Sequence, residues 1–409
     1  MSSSDDVPWG TPRSLEGLKV LALGAFVAGN VCPLILAELG ADVVKVETRK
    51  RPEALRHYFS HDHGQITEPA GFQTTAMFSL LSRSMSSICV ELDSAGGPAV
   101  LRSLAGSADI VIENLGPGVM EKWGCGHEAL AAENPSLVVV SISGYGRTGT
   151  RGAHRAYASS ISSYLGLTNI YAHEGTHFDF VVAYHAAFGA ISAWRRARET
   201  GEGAYLDVSQ METGAALMAP IYLDALMNGG TWNFRPNEVP GSVLSTVVRC
   251  VGHDAWAAVE LEDLADWSAL CEVLERPSLA DGEEVTADQK QELARALQEW
   301  SAELTPMQVA IKLQNAGLAA APVQSGEDIW RDPQLRARSA FIEVDHPDLG
   351  LIEHPQTPEY MTSTPGRVSG RSRRLGEDTV DVLGRWLQID ETARAGLVAD
   401  GSVWQAPTT

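Results

Sequence analysis

The hydrophobic pattern first becomes regular at residue 17. In GLKVLALGAFVAGNVCPLILAELGADVVKVE (17–47), residues 19–23 form an apolar run of strand length. A turn with two glycines follows over 24–30. Residues 32–39 then give a short apolar helix stopped by Gly40, and 43–46 a second strand. That succession is a βαβ unit, which requires a parallel sheet and a crossover helix. Further β-rich runs lie at 88–92, 109–112 and 137–142 (LVVVSI), with helical segments between them. The order predicts an open, doubly wound α/β sheet.

Ligands of such sheets bind beyond the C-terminal ends of the strands. The loops there are 25–30, 114–118 (NLGPG) and 143–155 (SGYGRTGTRGAHR). The last is rich in Gly and Arg. It fits a plain surface turn, or a cradle whose backbone N–H groups approach an anion. Its glycine spacing matches neither the dinucleotide fingerprint nor the P-loop.

Residues 180–198 predict a long apolar helix with Arg195, Arg196 and Arg198 in its last turn, where the dipole favours cations. Asp179 stands at its mouth. By spacing alone, an Asp there is a helix cap. ETGEG (199–203) stops the helix, 204–209 is a strand, and 211–230 is a second helix, apolar around its whole circumference. Such a helix is buried between domains or subunits. A smaller α/β module follows over roughly 240–330, opening with a hairpin around 252–254. A Gly/Arg/Ser segment at 363–379 leads to a final helix.

The 409 residues suit two domains, and 44% hydrophobic with 20% charged residues is ordinary globular composition. A net charge of −21 argues against nucleic acid as a partner, and any anionic ligand needs a local basic pocket. No window reaches the roughly 18 to 20 apolar residues of a membrane span. The N-terminus lacks a signal-peptide pattern, so a cytoplasmic location is expected. Cys32, Cys89, Cys125, Cys250 and Cys271 have no metal-ligand spacing, and five reduced, mostly buried thiols are expected with no metal.

Several stretches together resemble family III CoA-transferases, the formyl-CoA, carnitine and succinyl-CoA transferase group, which shares its fold with α-methylacyl-CoA racemases. They are the 17–47 unit, IVIENLGPGVMEKWGCGHEAL, NPSLVVVSISGYGRTGT, ETGEGAYLDVSQMETG and DPQLRARSAFIEVDHPDLG, in order from about 17 to about 400. The resemblance implies a Rossmann-like large domain with an inserted small α/β domain and an interlocked dimer. The implied division is a tail (1–16), a large domain (17–230), a small domain (231–330) and a C-terminal segment returning to the large domain (331–409).

It also implies that Asp179 is the nucleophile, 21 positions before the Thr200-Gly201-Glu202-Gly203 turn. The substrates implied are an acyl-CoA such as succinyl-CoA and a carboxylic acid, with no permanently bound cofactor. A carboxylate at a helix N-terminus is expected to stay ionised. CoA contacts fall on Val27, Ala28, Asn114, Leu115, Gly116, Lys122, Arg155 and Tyr157, with Arg49, Arg83 and Arg147 as further phosphate partners. Thr48 stands where the family usually has Arg, and Asp93 where it has Lys. Both changes remove positive charge. A racemase would need a His at Tyr157 and an Asp at Ala158. His154 is a loop residue nearby, and His185 is expected on a packed helix face. The remaining alternatives are a homodimer, or one subunit of a heteromer with a related chain, even a scaffold-like one as in transferases acting on benzylsuccinate.

Overall fold

The structure is a computed structural model. It describes residues 12–56, 75–168, 175–229, 237, 239, 241–280, 282 and 284–407. The chain divides into two compact units: Met1–Gly230 with Arg336–Thr409, and Thr231–Leu335.

The first unit is built on a seven-stranded sheet. Its strands β1 (Lys19–Leu23), β2 (Asp42–Glu47), β3 (Ser86–Val90), β4 (Ile110–Glu113), β5 (Val138–Ser143) and β6 (Ala204–Ser209) are all parallel. They lie in the order β3-β2-β1-β4-β5-β6, the doubly wound order, with its switch point between β1 and β4. The two faces follow from alternation along each strand. Val20, Ala22, Ile110, Ile112, Val138 and Val140 face a core shared with helices α1 (Phe26–Glu38) and α2 (His177–Thr200). Leu21, Leu23, Val44, Val46, Val111 and Val139 face the other core, shared with helices Gly97–Gly106 and Thr379–Leu387. A one-residue slip would exchange these sets, so burial fixes the register.

Three elements differ from the sequence expectation. Helix α1 begins at Phe26, not near 32, and Gly29 lies inside it. Gly29 weakens helix propensity, but packing overrides it: a Cβ on Gly29 would lie 2.5 Å from Asn114 Oδ1. The long helix expected over 211–230 is two, α3 (Gln210–Leu217) and α4 (Ala219–Asn228). Pro220 lacks an N–H and starts the second. A short C-terminal strand, Val403–Trp404, pairs antiparallel with β3. Two residues carry no periodicity, so the pattern gave no sign of it.

ETGEG has a backbone explanation. Gly201 ends α2 at φ +74°, and a Cβ on Gly203 would stand 2.1 Å from the Leu137 carbonyl oxygen.

The second unit holds a three-stranded antiparallel sheet of Leu244–Arg249, Trp256–Leu261 and Ala319–Val323. The first two form the expected hairpin, which turns through Gly252 and Asp254 at positive φ. Helices Leu264–Val273, Ala287–Ser301 and Pro306–Asn315 close its core around Trp267, Leu270, Leu293, Leu297 and Leu313.

Candidate active site

Asp179 is the third residue of α2. The cap position belongs to Thr176, whose side chain makes no capping bond. The cap reading therefore fails on geometry. Phe178 beside it is fully buried, packed with Ile161, Leu165 and Met218. Tyr145, Met211 and Ala215 flank that cluster, half-buried. The carboxylate accepts one hydrogen bond, 2.8 Å from Gln210 Nε2 to Oδ1. Gln210 is 5% exposed and opens α3 directly after β6, where Ser209 caps the helix by accepting from the Glu212 N–H.

Burial pushes the Asp179 carboxyl up to about 6, and the Gln210 bond pulls the other way without cancelling it. The expectation that a helix N-terminus keeps the acid in its usual range is corrected: desolvation outweighs the dipole. At pH 7 the group is still roughly nine-tenths ionised. Ionised and poorly solvated, it is a better nucleophile than an exposed aspartate.

The loops beyond β1 and β4 meet at the switch point. Asn114 brackets Ala25, Oδ1 accepting from its N–H and Nδ2 donating to its carbonyl, both at 2.8 Å. Its amide thus ties the two loops together. Leu115 and Gly116 continue the second loop, and Val27 and Ala28 are buried in the first turn of α1. Phe26 precedes them at φ 56°, its N–H held by Glu53 Oε1 at 2.8 Å. Tyr157, 62% exposed, meets the Phe26 ring edge-on at 5.8 Å.

The cations divide into two groups. Arg83 is bound to Glu38 at 2.6 Å with both side chains buried. Arg147 forks onto both oxygens of Glu113, at 2.7 and 2.9 Å, and onto Ser141 and the Leu115 carbonyl. Burial raises the Glu113 carboxyl even so. The expectation that Arg83 and Arg147 serve phosphates is corrected: their guanidinium groups neutralise buried carboxylates. Arg49 pairs with Glu91 at 2.9 Å and lies over the Trp404 ring, though half its side chain is exposed. Thr48 donates to the same Glu91, and Asp93 accepts from Trp123.

Arg155 and Lys122 are different. Both are exposed and have no ion-pair partner among the described residues. Arg155 lies against the Gly116 turn, its Nε 3.7 Å from where a Cβ on Gly116 would stand. The glycine-rich loop is only partly an open cradle. Gly144 is pressed against Ala156 and Gly152 against Arg147, so both are small for packing. His154 meets Tyr145 edge-on. His185, expected on a packed face, is exposed and bonds back to the Val181 carbonyl.

Sequence reasoning missed Gln210 and the acids Glu38 and Glu113. A signal existed for two of them. Gln210 is the first polar side chain beyond a strand end on the ligand edge, and Glu113 ends an otherwise apolar buried strand. Either position demands a partner.

No described helix is long and apolar enough to cross a membrane, and the described residues hold no cluster of three or more metal-ligating side chains. All five cysteines are free and buried.

The family model described as CoA-transferase family III matches residues 15–379. A succinyl-CoA–D-citramalate CoA-transferase of Chloroflexus aurantiacus is 28% identical over 95% of this chain and 98% of its own length. The alpha subunit of a succinyl-CoA–L-malate CoA-transferase of Chloroflexus aurantiacus is 30% identical over 92% of this chain and 89% of its own. Among solved structures, a CAIB/BAIF family protein from Brucella suis superposes with a TM-score of 0.82 at 24% identity, over 92% of this chain and all of the other. That likeness speaks to the fold alone.

Proposed function

As this chain belongs to CoA-transferase family III and is a CoA-transferase, we propose that Asp179 is its nucleophile and succinyl-CoA its donor. The acceptor is a small dicarboxylic acid, in keeping with the D-citramalate and L-malate in its relatives' names. One observation carries the reading. A single carboxylate stands against an apolar cluster at the first turn of α2, raised to about 6 yet mainly ionised at neutral pH.

An Asp179 oxygen attacks the thioester carbonyl of the donor, expels CoA thiolate and forms a mixed anhydride. The thiolate attacks the aspartyl carbon of that anhydride. Succinate leaves with the bridging oxygen, and an aspartyl-CoA thioester remains. The acceptor carboxylate attacks the same carbon and releases the thiolate again. The thiolate then attacks the acyl carbon of the acceptor, giving the new thioester and restoring Asp179. No step needs a proton or a bound cofactor, and each replaces one hard exchange by an easier one. The apolar residues beside Asp179 limit hydrolysis of the anhydride.

Arg155 and Lys122 take the CoA phosphates, since their charges are unneutralised. Tyr157 and Ala158 leave this loop without the His and Asp that a racemase would use. The working assembly is an interlocked dimer, either of two copies or of this chain with a related subunit. The second form is supported by the relative that is an alpha subunit. The free, buried thiols suit the cytoplasm.

The test is isotope exchange. Labelled succinate should enter succinyl-CoA in the presence of wild type, and Asp179→Ala should lose that exchange while melting near the wild-type temperature. Wild-type turnover in the variant would remove Asp179 from the mechanism. No exchange by wild type would remove succinyl-CoA as donor.

A further inference from the structure

We propose that Gln210 is a catalytic residue, the hydrogen-bond donor that stabilises the oxyanion formed on Asp179 Oδ1. The inference rests on Asp179 being the nucleophile.

Two of the steps above occur at the carboxyl carbon of Asp179, not at the carbonyl of a substrate. When thiolate adds to the aspartyl anhydride, the C–S bond forms and the carbonyl electron pair moves onto the oxygen that is not bridging. The bridging C–O bond then breaks, and the donor acid leaves as a carboxylate. When the acceptor carboxylate adds to the aspartyl thioester, a C–O bond forms, the same oxygen takes the charge, and the C–S bond breaks. That oxygen needs a donor already in place, within roughly 2.7–3.1 Å.

Gln210 Nε2 lies 2.8 Å from Oδ1. Oδ1 is thereby assigned as the oxygen that stays, and Oδ2 as the one that attacks. Oδ2 has no hydrogen-bond partner among the described residues. The orientation of the amide follows from chemistry: an ionised carboxylate only accepts, so the NH2 group must face it. Position and burial support the role. Gln210 is 5% exposed and sits between β6 and the Ser209-capped start of α3. Its backbone carbonyl is also held, accepting from Thr213 Oγ1 at 3.0 Å. A donor fixed at both ends reorganises little as charge develops, which is what makes such a contact effective.

The first step, attack by Oδ2 on the donor, puts charge on the donor's own carbonyl. Losing Gln210 should therefore slow the second and third steps more than the first. The anhydride then persists and water claims a larger share. Gln210→Met keeps the bulk and removes the donor, and Gln210→Glu keeps the shape and removes it too. The variant melting nearer wild type is the one to read. Succinate exchange into succinyl-CoA should fall on the order of 100-fold, with KM for succinyl-CoA changed by less than about threefold. Succinyl-CoA hydrolysed per exchange event should rise, and the acid limb of the pH profile should move upward. A residue that only supports the fold would not shift that partition. Exchange within about twofold of wild type, with partition and acid limb unmoved, would overturn the role of Gln210. If Asp179→Ala is inactive in the same assay, the nucleophile reading survives that outcome. If Asp179→Ala is active, both fall.

Discussion

At the scale of single residues, Asp179 ties activity and stability to the same proton. Its carboxyl titrates near 6 in the fold, above the ordinary aspartate value. Transfer should fall as pH drops through about 6, because the protonated acid does not attack. The sign for stability is opposite. A folded-state value raised by burial contributes stability that is complete below the ordinary value and is lost as pH rises through about 6. Asp179→Asn should therefore be inactive, yet melt at or above wild type at pH 8 and show no such advantage near pH 4. A melting temperature lowered equally at both pH values would mean the carboxylate is structural. The two arginines of the glycine-rich loop make a second contrast. Arg155→Ala removes a charge-assisted phosphate contact of roughly 1.5 to 3 kcal/mol and should weaken CoA binding about 10- to 100-fold, read by calorimetry. Arg147→Ala leaves Glu113 buried and uncompensated, and should instead destabilise the fold by about 3 to 5 kcal/mol. Similar losses of affinity in both variants, with stability unchanged, would refute the division of cations.

At the scale of elements, α4 is the open question. None of its residues is buried in the single chain, and Leu223, Leu226 and Met227 are 54%, 81% and 80% exposed. Apolar residues that exposed on one short helix mark an interface. Leu226→Glu with Met227→Glu should turn a wild-type dimer into a folded monomer in sedimentation at micromolar concentration. A wild type that sediments as a stable monomer would contradict the interlocked assembly. The same elements show what a sequence can disclose. β1 and β6 were legible to the residue, because their apolar runs are bounded by polar turns. The start of α1 was not, since Gly29 hides a helix that the Asn114 contact stabilises. The break at Met218 was written in Pro220 but masked by an unbroken apolar run. For the site, Asp179 could be picked out only with the family resemblance. Its partner Gln210, 31 residues away, required the fold, because nothing local in DVSQMETG says that it faces a carboxylate. Arg83 and Arg147 were misread for a like reason: a sequence shows a charge but not the acid folded against it.

At the scale of the whole molecule, the surface repels what the site must bind. A net charge of −21 opposes a polyanionic thioester, and only a few unpaired cations near the switch point draw it in. Association of succinyl-CoA should accelerate between low salt and about 0.15 M, where the Debye length shrinks to about 8 Å and the long-range repulsion is screened. A rate that falls steeply over the same range would point to a basic entrance instead. The central claim is covalent chemistry at one carboxylate, and it can be tested directly. Incubate the protein with succinyl-CoA, quench with hydroxylamine, and map the peptides by mass spectrometry. A hydroxamate on Asp179, absent without succinyl-CoA, is the predicted result. Active protein with Asp179 unmodified, or with the hydroxamate on another acid, would contradict it.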